Sequence, residues 1–468
     1  MNIVTNNIRL KDYLIGDKAF YKRVLMIVLP IIIQNTITNV VNLLDNIMVG
    51  RVGTLEMSAV AIVNQLIFVF NLCIFGGLSG ASIFGTQFAG ARDNEGVRNC
   101  FRMKIHIILT ILILAICIFG FFSEPLISSY LAEGTSAADT TATMGFAFDY
   151  LYIMLIGLIP FAVSQAYSTS LREIGETKIP MYASFVAIVI NTLLNLLLIF
   201  GLCGFPKLGV AGAAIATVVS RYAEMTVVVI CAHKRSNEFK FLNGAYHTLK
   251  IPKELCLGIL KKGSPVMINE FLWSVGVALY LQCYSVRGLD VVAAANISST
   301  VTNLFNVFFV SSGNAIAIMV GQQLGANEIE KAKQTVWRLI SLSFVTCVVI
   351  GGILASLSSV IPEIYNTEPH VKQLAKSFLL VTASLMPIVS FTHNSYFTIR
   401  SGGKTIITFI FDSGFMWCLA VPVAFTLSNY TSLGIVTVYF LANAMECVKA
   451  VIAFILVKKG IWISNIVR

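Results

Sequence analysis

The sequence predicts an all-α polytopic membrane protein, with twelve transmembrane helices in two parallel six-helix lobes. A pseudo-two-fold axis along the membrane normal relates the lobes. Three observations carry this prediction. Of 468 residues, 57% are hydrophobic and only 12% are charged, whereas a soluble domain carries about 25% charged residues. Twelve apolar stretches each approach or exceed the ~20 residues that cross a bilayer as a helix. The two halves of the chain also repeat one another.

In chain order the spans are expected at roughly 24–49, 55–85, 99–122, 141–170, 180–202 and 209–232, then 259–286, 290–323, 336–360, 371–399, 405–427 and 434–457. The longer ones must tilt, kink or protrude. Lys and Arg fix the orientation. Arg9, Lys11, Lys18, Lys22 and Arg23 precede the first span, and Arg92, Arg98, Arg102 and Lys104 lie on the next same-side connection. The central loop adds Lys234, Arg235, Lys240, Lys250 and Lys253, while 123–139 holds three acids and no base. Both termini are therefore expected in the cytoplasm of a multi-pass cell-membrane protein. The excess of 33 Lys+Arg over 23 Asp+Glu is topological and gives no reason to expect nucleic acid as a partner. The ten cysteines are scattered through apolar runs without a C-x-x-C pair and read as packing residues. No cleavable signal peptide is expected, since Met1–Arg23 is polar and the first apolar run can remain as an anchor.

A shift of about 235 residues aligns the halves for about 70 positions. Pro30 meets Pro265, Gln34 meets Asn269, Gly53 meets Gly288, Asn71 meets Asn306, Gln87 meets Gln322 and Gly90 meets Gly325. At a slightly different offset LREIGETK from Leu171 meets IRSGGKT from Ile399, and Pro160 stands close to the equivalent of Pro387. Each unit holds an even number of spans, so the lobes run parallel, as in transporters built around a central cavity. The expected division is 1–232 for the first lobe with its cytoplasmic tail, 233–258 for a basic cytoplasmic linker, and 259–468 for the second lobe. Small-residue runs such as Gly76–Gly80 let helices approach closely.

The polar residues of the first span mark the candidate site. Between Pro30 and Gly53, Asn35, Thr38, Asn39, Asn42 and Asn46 share one helix face with Asp45 beside them. A carboxylate in a membrane helix is costly unless it faces protein or water, which makes it a functional candidate by default. Glu270, five residues after Pro265, is the second candidate for a cation or proton site. Asp412 is expected to be structural or interfacial. Arg221 with Glu224, and Glu446 with Lys449, have the i,i+3 spacing of self-neutralising pairs. Asn191 and Asn195 lie one turn apart in the fifth span. No histidine pair has metal-site spacing and no G-x-x-x-x-G-K-[ST] loop is present. Neither an enzyme nor an ATP-driven pump is expected, no cofactor is called for, and an ion gradient must supply the driving force.

Several of these motifs together resemble the MATE (multidrug and toxin extrusion) transporters of bacterial type, over nearly the whole chain. They are Pro30 with DNIMVGRVG from Asp45, GASIFGTQFAGARD, LREIGETKIP, NTLLNLLLIFG and GVAGAAIATVVSR in the first half. VVAAANI, VGQQLGANEIEKA and IRSGGKT with the later Val421-Pro422 follow in the second. The resemblance implies a V-shaped pair of six-helix bundles, working as a secondary antiporter by alternating access. Its cargo would be organic, mostly cationic, drugs and toxins, exchanged for inward H⁺ or Na⁺. Asp45 then falls on the first-span coupling carboxylate, where its oxygens would take the proton or a Na⁺ ion. Asn191 falls on a nearby amide, and Thr217 on a hydroxyl lining the same pocket. Asn195 stands where some members carry a second acid. Glu270 lies about one turn from the acid of the seventh span in some members, and the tenth-span acid is absent from Met386–Arg400. Coupling is therefore expected chiefly through the first lobe, with Asp45, Asn191, Asn195 and Thr217 as its ion-coupling candidates and Glu270 as the candidate in the second lobe. Gln34, Asn39, Asn42 and Tyr150 are the candidate substrate contacts, and the expected state is a monomer. Two competing functions are a lipid-linked oligosaccharide or polysaccharide flippase, which needs unpaired bases in the spans, and a membrane-embedded transferase, which needs convergent His, Asp or Cys.

Overall fold

The structure is a computed structural model that describes residues 13–130, 137–365 and 367–467, without the side chains at 42, 43, 46, 47 and 137. Among the described residues there is no strand, and 12 helices are long and apolar enough to cross a membrane. They are α1 (Lys18–Gly50), α2 (Thr54–Gly90), α3 (Asn94–Phe121), α4 (Ala137–Glu173), α5 (Lys178–Phe200) and α6 (Val210–Lys234), then α7 (Lys253–Ser285), α8 (Leu289–Gly325), α9 (Ile329–Leu357), α10 (Pro369–Ser401), α11 (Thr405–Tyr430) and α12 (Ile435–Lys458). Helices α2 and α8 have 37 residues each, about 55 Å at 1.5 Å per residue, so each outruns a hydrocarbon core of ~30 Å. Among the described residues five helices carry an interior proline: Pro30 in α1, Pro160 in α4, Pro265 in α7, Pro387 in α10 and Pro422 in α11. A proline inside a helix leaves one carbonyl without its donor and permits a bend there.

The repeat is legible hydrogen bond by hydrogen bond. After α2, Arg92 takes a left-handed backbone (φ 59), and after α8 Asn327 does the same (φ 62). Asp93 N–H donates to the carbonyl of Phe88 at 2.9 Å, and Glu328 N–H to that of Gln323 at 2.8 Å. Both turns thus close on the helix in one C-terminal capping pattern. Gly175 N–H to Arg172 O and Gly403 N–H to Arg400 O, at 2.9 and 2.8 Å, form a second equivalent pair.

Two compact units organise the chain. One comprises Ile33–Gly85 and Asn94–Leu260. The other comprises the described residues up to Ile32, Thr86–Asp93 and the described residues from Lys261 on. These units differ from a division at 232 and 259 in two places, and packing explains both. Val24, Ile27, Val28 and Ile31, before and just after Pro30, lie in one core with Ala315–Leu324 of α8 and Tyr396–Ile399 of α10. The last turn of α2 also crosses the last turn of α8 at backbone distance. A Cβ on Gly90 would stand 1.8 Å from the carbonyl oxygen of Gln322, and one on Gly325 would stand 1.8 Å from that of Gln87. The contact is reciprocal because the repeat pairs Gly90 with Gly325 and Gln87 with Gln322; only glycine permits such an approach. The wholly buried Gln87 also receives Ile466 N–H on its Oε1 at 2.9 Å and donates Nε2–H to the carbonyls of Ser401 (3.0 Å) and Ser464 (3.1 Å).

The segment between α6 and α7 is folded down. Phe239, Phe241, Leu242 and Ala245 are buried, and Arg102 donates to the carbonyls of Ala245 (2.9 Å) and Gly244 (2.8 Å). Arg98 donates to the carbonyl of Phe241 at 3.3 Å. Arg98 and Arg102, expected from sequence to act in topology, thus staple this segment to α3.

Candidate functional site

Asp45 sits half-buried near the end of α1, and its hydrogen-bond partner is an amide. Asn195 Nδ2 donates to Asp45 Oδ1 at 2.5 Å and to Asn191 Oδ1 at 3.1 Å, and Asn191 Nδ2 donates to Thr217 Oγ1 at 3.3 Å. The one-turn spacing of the two asparagines on α5 points both at α1 and α6, and both are buried. The predicted residues Asp45, Asn191, Asn195 and Thr217 thus form one chain of hydrogen bonds. Asn195 Oδ1 is buried without a hydrogen-bond partner, a vacancy that normally costs about 1–3 kcal/mol.

This chain opens on a cavity of about 70 Å³ lined by Thr38, Asp45, Ser184, Asn191, Arg221 and Glu224 among others. Drug-sized ligands need roughly 300–1,000 Å³, so in this conformation the cavity suits water or a small ion. Across it runs a second network. Arg172 donates to Gln34 Oε1 (2.5 Å), Gln34 Nε2 to Ser184 Oγ (2.7 Å), Ser184 to Glu224 Oε1 (2.8 Å), and Arg221 to Glu224 Oε2 (3.2 Å). Gln34, read from sequence as a substrate contact, is instead buried with both ends of its amide engaged by protein, so it ties α1 to α4 and α5. Asn39 is half-buried and Tyr150 is buried, its hydroxyl donating to Asn64 Oδ1 at 3.4 Å; neither lines this cavity. The side chain of Asn42 lies outside the described residues.

Glu270 belongs to a separate cluster in the other unit. It receives the Tyr396 hydroxyl at 3.3 Å, with Arg400 NH1 at 3.9 Å. Asp412, expected to be structural or interfacial, is shielded here. It accepts Lys449 Nζ on Oδ1 at 2.7 Å and Asn269 Nδ2 on Oδ2 at 2.9 Å. The expected Glu446–Lys449 pair is present, with a second acid added to it. Lys449 lies 3.6 Å from Glu446 but makes its shorter bond across to α11. Asp412 stands in a π-helical turn, Ile410–Gly414, followed by a second, Met416–Ala420. Asn269 Oδ1 takes the Ser413 N–H at 3.1 Å. Such turns often mark functional positions.

Arg172, Ser184 and Arg400 were not singled out as members of these networks. The repeat held the signal, because LREIGETK and IRSGGKT pair Arg172 with Arg400, and both arginines reach the helix after an interior proline. Among the described residues no three His, Cys, Asp or Glu side chains converge as metal ligands. A sodium ion at Asp45 would therefore depend on neutral oxygens.

Known proteins resemble the chain over most of its length. The family model described as MatE matches residues 30–197 and 265–426. A probable multidrug resistance protein of Bacillus subtilis, YoeA, is 29% identical over 428 residues, covering 90% of each chain. A probable multidrug resistance protein of Thermotoga maritima, NorM, is 24% identical over 91% of this chain and 90% of its own. Among solved structures, a MATE protein in its bent conformation superposes with a TM-score of 0.83 at 19% identity, covering 95% of this chain and 96% of its own. A mutant of the Vibrio cholerae MATE transporter VcmN does so with a TM-score of 0.83 at 17% identity, covering 96% and 98%.

Proposed function

Because the chain belongs to the MATE family of multidrug-efflux transporters, we propose that it exports organic cations in exchange for inward protons, with Asp45 as the coupling carboxylate. It is a multi-pass membrane protein and a transporter, not an enzyme. In this reading both termini face the cytoplasm of the cell membrane, a monomer is the working unit, and the cargo is a small cationic molecule.

One observation carries the assignment to Asp45. Five other shielded carboxylates in these helices have a basic nitrogen within 4 Å: Glu173 (Lys104), Glu224 (Arg221), Glu270 (Arg400), and Asp412 and Glu446 (Lys449). Among the described residues Asp45 has none; its bond is to the neutral Asn195. A carboxylate clamped by a resident cation gains little from a proton. One held by an amide can accept a proton or give it up, because the amide serves either state.

The relay supplies the means. With Asp45 ionised, the amides point their N–H groups toward it. With Asp45 protonated, its O–H becomes a donor, and a half-turn of the Asn195 amide brings the unpartnered Oδ1 round to accept it. Asn191 can turn in the same sense and the Thr217 hydroxyl can then donate, so the chain reverses polarity without a net charge moving. Closing the site excludes water and disfavours the charged form, while opening it outward restores exchange with solvent. Proton entry would then release the cation attracted by the ionised carboxylate, in the alternating manner of such repeats.

Paired bases argue against a flippase. Arg172, Arg221, Arg400 and Lys449 each already face an amide or carboxylate of the protein. The test is ethidium or norfloxacin efflux from cells carrying Asp45→Asn, with the variant's abundance in the membrane verified. Efflux is expected to fall to the level of cells lacking the transporter. Undiminished, gradient-dependent efflux would overturn the assignment.

A further inference from the structure

Lys449 is a half-buried base in a membrane helix, and the coupling mechanism does not use it. Its ammonium lies between two carboxylates on different helices, 2.7 Å from Asp412 Oδ1 and 3.6 Å from Glu446 Oε1. The second oxygen of each acid is fixed from behind. Asn269 Nδ2 holds Asp412 Oδ2 at 2.9 Å, and the Thr392 hydroxyl holds Glu446 Oε2 at 2.8 Å. The rings of Phe411 and Phe415 face the ammonium at 5.3 and 6.0 Å from their centroids.

Oriented oxygens braced by outer hydrogen bonds, with π-faces closing the remainder, are the surroundings that a bound cation requires. Here the chain itself provides the cation. Around the cage stand Glu270 and Tyr280 of α7 and His393, Tyr396 and Arg400 of α10, and among the described residues no further charged side chain of α11 or α12. Arg400 faces Glu270 at 3.9 Å, which leaves the ammonium as the counter-charge to Asp412 and Glu446.

We propose that Lys449 is a tethered cation filling a monovalent-cation site formed by Asp412 and Glu446, and so prevents this unit from binding an ion from solution. Removing the ammonium leaves two anions with their outer hydrogen bonds intact, a cage for Na⁺. For transport, and resting on the role proposed for Asp45, this means that the carboxy-terminal unit contributes no coupling ion, and Na⁺ neither drives nor competes with efflux.

The test uses the purified full-length chain and Na⁺ itself. Equilibrium binding of ²²Na⁺ is measured, with N-methylglucamine chloride holding ionic strength constant. Wild type is expected to show no saturable binding. Lys449→Met should gain a saturable site with at least about tenfold higher apparent affinity than any wild-type signal, reflecting loss of a neighbouring positive charge. Adding Asp412→Asn to that variant should abolish the site. Should Lys449→Met fail to fold in sodium-free buffer, rescue by NaCl but not by N-methylglucamine chloride would report the same cage. Folded Lys449→Met without Na⁺ binding, absence of rescue, or wild-type binding that Asp412→Asn removes would each overturn the proposal. Loss of the Asp45 reading through dye efflux would leave this binding result untouched, so the two failures are distinguishable.

Discussion

The network around Gln34 and the network around Asn269 occupy matching positions in the two repeats, yet they carry opposite charge. The repeat pairs Gln34 with Asn269, and Ser184 with Asp412 through the offset that pairs Arg172 with Arg400. In each network the amide of the proline helix donates to its partner on the next-but-three helix, Gln34 to Ser184 at 2.7 Å and Asn269 to Asp412 at 2.9 Å. Counted from the capping glycines Gly209 and Gly434, Arg221 falls where Glu446 does and Glu224 where Lys449 does. A hydroxyl bonded to a glutamate in one unit is thus a carboxylate bonded to a lysine in the other. The frame fixes positions; the side chains decide which unit keeps a carboxylate able to change state. In the carboxy-terminal unit every acid of the network is held by a base, while in the amino-terminal unit Asp45 bonds to the neutral Asn195, and the nearby Arg221 is paired with Glu224.

The largest test of this difference compares Asp412→Asn with Asp45→Asn. Deleting Asp412 takes from a half-buried ammonium the nearer of its two carboxylates, and losing one partner of a shielded ion pair costs up to about 3–5 kcal/mol. Asp45→Asn replaces one hydrogen-bonding group by another and should change stability by less than about 1 kcal/mol. Thermal unfolding of the two variants in the same detergent measures both. Equal losses would mean that Asp45 is as firmly locked as Asp412.

A second comparison concerns the point where the halves are alike. Gly90→Ala and Gly325→Ala each drive a methyl into a carbonyl of the opposing helix, so both should destabilise by a similar amount, about 1–3 kcal/mol or more. Unequal effects would mean that the crossing is not reciprocal. The smallest effect is expected at the surface of the folded connecting segment. There the Glu238 carboxyl is held below its ordinary value, chiefly by the hydrogen bond from Arg235. Its contribution is therefore present above the ordinary glutamate range and lost as the pH falls through its lowered value. Because the pair is exposed, Glu238→Gln should leave unfolding at neutral pH unchanged.

Much of the frame is written in the chain. Spans follow from uninterrupted apolar length, and the repeat from matched prolines, glycines and amides, which hydropathy alone does not dictate. Asp45, Asn191, Asn195 and Thr217 were legible as one group because two of them lie one turn apart and the resemblance supplied the others. Partners chosen across helices were not legible. Spacing placed Lys449 with Glu446, but the shorter bond runs to Asp412, far away in sequence, and depends on a π-helical turn that no residue pattern announces. Gln34 read as a polar face awaiting cargo because a glutamine cannot reveal that an arginine and a serine from other helices already occupy it. The exchange of α1 and α2 termini between units was hidden likewise, since it rests on the packing of Val24–Ile31 against α8 and α10 and on the Gly90–Gly325 crossing.

The central claim is that a proton on Asp45, not an ion in the carboxy-terminal unit, drives export. It is tested most directly by ethidium efflux from proteoliposomes in which a pH gradient and a sodium gradient are imposed separately. The account predicts that the pH gradient alone drives efflux by wild type, that the sodium gradient alone does not, and that Asp45→Asn responds to neither. Efflux driven by sodium alone, or pH-driven efflux that survives Asp45→Asn, would contradict it.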